Sequence, residues 1–99
     1  MIVVIAGEAE AELERIGDYI AARNPLRAIS FVRELREKCA GLADAPLSHA
    51  LVPRYEAAGI RRCVHGNYLI FFRVAAGRIE VVHVLHGARD YEDILFPEG

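Results

Sequence analysis

Lysine is nearly missing from this chain. Lys38 is the only one in 99 residues, so positive charge beyond that point rests on arginine, and chemistry that needs a lysine in the second half is excluded. Cysteine is scarce as well. Cys39 and Cys63 are separated by 23 intervening residues and form no C-x-x-C or Cys/His ligand pattern, so neither a disulfide framework nor a zinc site is indicated. A reduced, cytoplasmic protein is the expectation. Long hydrophobic runs are also absent: the longest nearly uncharged stretches, Met1 to Gly7 and Val64 to Phe72, fall far short of the roughly 18 residues that a membrane span needs. Neither a transmembrane helix nor a signal peptide is expected, and no membrane partner.

What is present suffices for a core. Apolar residues make up 54% and charged ones 26% of the chain, against a usual apolar share of about 45–50%. The size fits one domain over residues 1–99. Net charge is −2 but uneven: residues 51–86 carry Arg54, Arg61, Arg62, Arg73 and Arg78 against Glu56 and Glu80, while residues 87–99 set Arg89 against four acids. The middle is the basic part.

Ile2 to Ile5 is a β-branched run that reads as a strand. From Glu8 to about Arg23, Ala9, Leu13, Ile16 and Ile20 recur at helical spacing, with Gly7 as N-cap and Glu8 and Glu10 complementing the helix dipole. Asn24-Pro25 ends that helix, the asparagine suiting a left-handed C-terminal position, and opens a second over Pro25 to Leu42. A connection this short forces an antiparallel helical hairpin. Leu47 to Gly59 reads as irregular. Beyond it the period changes to that of strands, at Ile60 to Val64, Tyr68 to Val74 and Ile79 to Leu85, joined by three-residue connectors with glycine. The fold class is therefore α+β: a strand, a helical hairpin and a three-stranded antiparallel meander. Tyr68, Ile70, Phe72 and Val74 point one way, and Leu69, Phe71 and Arg73 the other. Both faces are largely apolar, so a partner is expected over the one that the hairpin leaves open.

This order, together with Arg61-Arg62, the strand Tyr68-Leu69-Ile70-Phe71-Phe72-Arg73, the Pro25-x-x-Ala28-x-x-Phe31 helix start and the ending Val84-Leu85-His86-Gly87-Ala88-Arg89-Asp90, resembles the RelE/ParE superfamily of bacterial toxins over nearly the whole chain. The resemblance implies the toxin of a type II toxin-antitoxin pair, held in a hetero-oligomer by a DNA-binding, ParD-like antitoxin whose tail folds onto it. It implies no cofactor or metal and no sequence-specific DNA binding by this chain. Two activities occur in such toxins: ribosome-dependent mRNA cleavage, and inhibition of DNA gyrase by binding.

RNA cleavage needs a proton acceptor, a proton donor and cations for the phosphorane charge. Arg61, Arg62, Arg73 and Tyr91 would be the catalytic set. The missing lysines and the net charge of −2, poorly suited to a phosphate surface, favour the ParE-like branch, as do the long paired helices and the Ala88-Arg89-Asp90-Tyr91 ending. Arg73, His86, Arg89, Asp90, Tyr91 and Phe96 are then the expected target surface, and Tyr19, Ile20, Leu35, Leu69 and Phe71 the expected antitoxin contacts. An inactive antitoxin-binding module is the third possibility.

Simpler roles stand beside these. His83 and His86, three apart in a strand, are expected on opposite faces, His83 as a structural residue. Arg61 and Arg62 alternate, one of them joining Arg73. Arg89-Asp90 reads equally as an ion pair holding the tail. The run Glu8, Glu10, Glu12 and Glu14 reads as a solvated helix start, and Cys39 as an inert core thiol.

Overall fold

The computed structural model describes residues 1–97. Strand β1 (Ile2–Ile5) leads into helix α1 (Gly7–Ala21), which turns back into α2 (Pro25–Gly41). Two single 3₁₀ turns, Pro46–Ser48 and Glu56–Ala58, punctuate the connection to β2 (Arg61–His65), β3 (Tyr68–Ala75) and β4 (Arg78–His86), and a short helix, α3 (Tyr91–Leu95), follows. The sheet order is β1-β4-β3-β2, with β1 parallel to β4 and the other pairs antiparallel. The expected α+β meander is observed, and β1 returns to flank its last strand.

Helix α1 begins one residue before the expected Glu8, with Ala6 as N-cap in place of Gly7. Asn24 does not close the first helix in a left-handed conformation. Its φ is −150°, and its side chain accepts a hydrogen bond from the Arg27 N–H at 3.0 Å, so it caps the start of α2, where four N–H groups lack helical partners. The hairpin loops are two residues long rather than three. At Ala76-Gly77 both residues have positive φ, 51° and 75°, the twist that joins tightly paired strands.

The hairpin covers one face of the sheet. Ala9, Leu13 and Ile16 of α1 and Phe31, Leu35 and Cys39 of α2 pack on Cys63, Ile70, Phe72, Ile79, Val81 and Val84. The opposite face is not left open for a partner, as the sequence pattern suggests. The segment 51–60 and the C-terminal tail close over it, placing Val52, Ile60, Tyr55, Tyr91, Ile94 and Phe96 on Phe71, Leu85, Leu69 and Val82. Phe71 and Phe72 are adjacent in sequence and both fully buried, one under each cover.

Strand β4 carries a bulge. Phe71 pairs with His83 but Phe72 with Val81, so Val82 has no partner, and the alternation of faces slips at that point. Pairing with β1 stops at Val81, leaving the far edge of β4 bare beyond it. Glu12 of α1 fills the gap: one carboxylate oxygen accepts the Val84 N–H and the other meets His83 Nδ1, each at 2.8 Å. Glu12 is therefore buried, 6% exposed, unlike its neighbours in the acidic run, because α1 crosses the sheet where a strand edge needs an acceptor.

Candidate functional site

The arginines on the sheet are set apart by alternation. Arg62, opposite Phe71, lies on the outer face, and its Nη1 donates to the Tyr91 hydroxyl at 2.9 Å. The Tyr91 ring sits 5.0 Å from that of Phe71, so this hydrogen bond pins the root of α3 to the sheet. Arg73 shares the outer face, where its Nε donates to Glu80 at 2.8 Å; Arg78 bonds the other oxygen of Glu80 at 2.6 Å. The two guanidinium groups, Arg73 first, hold the Glu80 carboxyl below its usual range, so it is a poor proton acceptor. Arg61 points to the other side and donates to the His49 carbonyl at 2.7 Å, fastening the long connection.

The four residues of the possible ribonuclease set therefore do not converge. Arg62 and Tyr91 meet, Arg73 is engaged by Glu80, and Arg61 serves the loop on the opposite face. Arg62 and Tyr91 do share a shallow hollow of about 380 Å³ with His86 and Leu69.

After β4 the chain turns sharply. His86 Nδ1 accepts the Ala88 N–H at 3.0 Å, and its ring lies edge-on to Tyr68 at 5.1 Å. His83, paired with Phe71, reaches Glu12 of α1 past the end of β1, and His86, paired with Tyr68, lines a groove beside the same helix. Arg89 and Asp90 are both exposed, and among the described residues they form no ion pair with each other. Just past the end of α3, Phe96 stacks on Tyr55 at 4.0 Å, with the rings 7° from parallel. The acids Asp90, Glu92 and Asp93 crowd the outer side of α3, and repulsion from Asp90 raises the Asp93 carboxyl.

Two of the expected antitoxin contacts are out of reach. Leu35 and Phe71 are both 0% exposed, Leu35 beneath the hairpin and Phe71 beneath the tail, so neither side chain meets a partner. Tyr19 is largely exposed; Ile20 and Leu69 are half-buried. The structure adds an apolar surface that the helical period hides: a groove of about 750 Å³ along the outside of the hairpin, lined by Ala11, Gly17, Ile29 and Val32. The exposed Leu26, 80%, stands on the same helix as Ile29. Gly17 lets the helices approach there, since a Cβ on it would lie 3.2 Å from the Val32 side chain.

A family profile described as the ParE toxin of the type II toxin-antitoxin system, parDE, matches residues 3–91. Toxin ParE1 of Caulobacter vibrioides is 31% identical over 83 residues, which is 83% of this chain and 84% of that protein.

The chain belongs to the ParE toxin family.

Two solved structures share the fold. One is from the chromosomal ParDE toxin-antitoxin system of P. aeruginosa, with a TM-score of 0.75 and 22% identity, covering 87% of this chain and 95% of that one. The other is from the toxin-antitoxin complex RelBE2 of Mycobacterium tuberculosis, with a TM-score of 0.64 and 20% identity over 86% of this chain and 95% of that one. Chains from a ParDE and a RelBE system thus share this backbone, and a fold held in common does not by itself assign an activity. In this ParE-family chain the arginine pairings described above are read from its own side chains.

Cys39 and Glu34 are held by their surroundings within the fold. Burial pushes the Cys39 thiol up to about 11, leaving it almost wholly protonated and unreactive at neutral pH. Arg27, and then His65, holds Glu34 low at the sheet end, where His65 Nε2 lies 2.9 Å from it. No helix among the described residues is long and apolar enough to cross a membrane.

Proposed function

We propose that this ParE-family toxin acts in the cytoplasm by binding DNA gyrase and inhibiting it, and that a ParD-like antitoxin neutralises it. The observation that carries the reading is the engagement of the sheet arginines. A nuclease needs unpaired cations and a poised proton acceptor around one phosphate, whereas here Arg61, Arg62 and Arg73 each hold a structural partner. A toxin that works by binding needs no such site. Its target surface is the exposed rim of the tail, Arg89 and Asp90, continued by Arg73 on the outer face and by His86 at the strand end. Tyr91 and Phe96 support that rim by anchoring α3 through Phe71 and Tyr55. The hairpin groove beside Leu26 and Ile29 suits an apolar helix of the antitoxin, and Tyr19, Ile20 and Leu69 extend its footprint.

Gyrase supercoiling and DNA cleavage assays with the antitoxin-free protein test this reading, beside a ribosome-dependent mRNA cleavage control. Inhibited supercoiling with intact mRNA is the expected result, weakened by Arg89→Ala and Arg73→Ala. One observation favours the other activity: the hollow that brings His86 to Arg62 and Tyr91. Cut mRNA with normal gyrase would establish that activity and make Arg62 and Tyr91 catalytic.

A further inference from the structure

The two sides of α1 differ in charge. On the side toward the outer hairpin groove the charged rim is Glu10, Glu14 and Arg36, and Arg36 is already bonded to Glu10 at 2.8 Å, so the charge left over is a carboxylate. On the other side, between α1 and the ends of β3 and β4, runs a groove of about 620 Å³. Its wall is apolar and aromatic, with Ile16, Ile20, Tyr68 and Leu85. Its rim carries Arg15, His86 and Arg89.

That rim consists of donors without acceptors. Arg15 and Arg89 have no ion-pair partner among the described residues. His86 Nδ1 accepts the Ala88 N–H, so the neutral ring carries its proton on Nε2 and donates there. Among the described residues the one acid lining the groove, Glu12, is engaged by His83 and the Val84 N–H. On α1 the lining positions 12, 15, 16, 19 and 20 follow one helical stripe, roughly 12 Å long. An occupant must therefore offer apolar side chains to the wall and carboxylates to the rim. A nucleic acid would call for a longer track of cations than two guanidinium groups on a chain of net charge −2.

We propose that this groove binds a carboxylate-bearing, amphipathic peptide segment, the acidic part of the antitoxin, with Arg15 and Arg89 gripping its carboxylates and Tyr19 covering its apolar side chains. The source of the segment rests on the toxin-antitoxin reading; the chemistry of the groove does not. A partner that wraps α1 must then be acidic on this side and apolar or basic on the hairpin side. Arg15 and Arg89 thereby become determinants of which antitoxins fit.

The test titrates the ¹⁵N-labelled full chain with a peptide of about four helical turns built from Leu, Ala and Glu, with the same peptide carrying Gln for every Glu, and with an oligouridylate. The Glu peptide is expected to bind and to shift amides at residues 15–20 and 86–89. The Gln peptide should bind about tenfold more weakly, and Arg15→Ala and Arg89→Ala should each weaken the Glu peptide by about tenfold, as loss of one charge-assisted hydrogen bond does. Arg15→Lys, which keeps the charge and the fold, should retain most of the affinity. Failure of the Glu peptide to bind, equal affinity for the Gln peptide, or shifts confined to the hairpin groove would overturn the proposal. Displacement by the oligouridylate would make the groove a nucleic-acid site instead. Gyrase activity enters none of these measurements, so a negative gyrase assay and a negative titration are separate outcomes.

Discussion

The two faces of the sheet are both apolar, yet they are closed by different means. On one side two helices, 15 and 17 residues long, lay continuous stripes over Ile70, Phe72, Ile79 and Val81. On the other side an irregular segment and a single helical turn are brought over Phe71 and Leu85 and held at a few points, chiefly the Arg62–Tyr91 hydrogen bond and the Tyr55–Phe96 stack. The first cover is made by period and propagates along its length. The second depends on individual contacts between segments distant in sequence, so local opening should begin there, and the proposed target surface lies on it.

Exchanging one phenylalanine for its neighbour gives the sharpest comparison. Phe72→Ala removes a fully buried ring beneath the hairpin, where two helices cannot collapse into the space, and should cost about 4–5 kcal/mol in urea unfolding. Phe71→Ala, under the adaptable tail, should cost about 3 kcal/mol. Equal losses would mean that the outer cover is as rigid as the inner one.

Glu12→Ala should cost about 2–3 kcal/mol, because the buried Val84 N–H is left without an acceptor, and exchange at that amide should accelerate with it. Unchanged protection at Val84 would show that the bare edge of β4 is satisfied in another way. Tyr91→Phe keeps the ring on Phe71 but removes the hydroxyl that Arg62 reaches. It should cost about 1 kcal/mol and loosen α3 while leaving the hairpin unaffected, as amide exchange of the two regions would report.

The smallest effect belongs to the surface. Arg36 holds the Glu10 carboxyl below its usual value of 4.5. A carboxyl depressed on folding stabilises above its unfolded pKa, and that contribution is lost as pH falls through the folded one. Arg36→Ala should therefore lower stability at pH 7 by under about 1 kcal/mol and by nothing at about pH 2, both groups being half exposed.

Much of this was legible beforehand for one face and little for the other. Helical spacing of Ala9, Leu13 and Ile16, and alternation through Tyr68, Ile70 and Phe72, carried the hairpin and meander, because a periodic stripe must be buried along its whole length. The same alternation exposed Phe71 and Leu69 as apolar but said nothing of what covers them. Tyr91, Ile94 and Phe96 have no period, and their packing is a matter of where the tail happens to turn. The buried Glu12 carries no signal in a run of four acids, since its surroundings are set by a strand 72 residues away. Nor did two adjacent arginines reveal that one would fasten a loop and the other a tail.

By itself, then, the sequence determined the α+β class, the order of its elements, the alternation that separates Arg61 from Arg62, and the likeness of its ending to a toxin family, all of which are local patterns or spacings along the chain. The tertiary structure alone decided that the outer face is covered by its own tail, that His83 and the Val84 N–H meet Glu12, that Leu35 and Phe71 lie beyond any partner's reach, and that α1 has grooves of unlike charge on its two sides. Each of those depends on which distant segments come to share a surface, and burial and pairing are properties of that meeting rather than of any residue or window of residues.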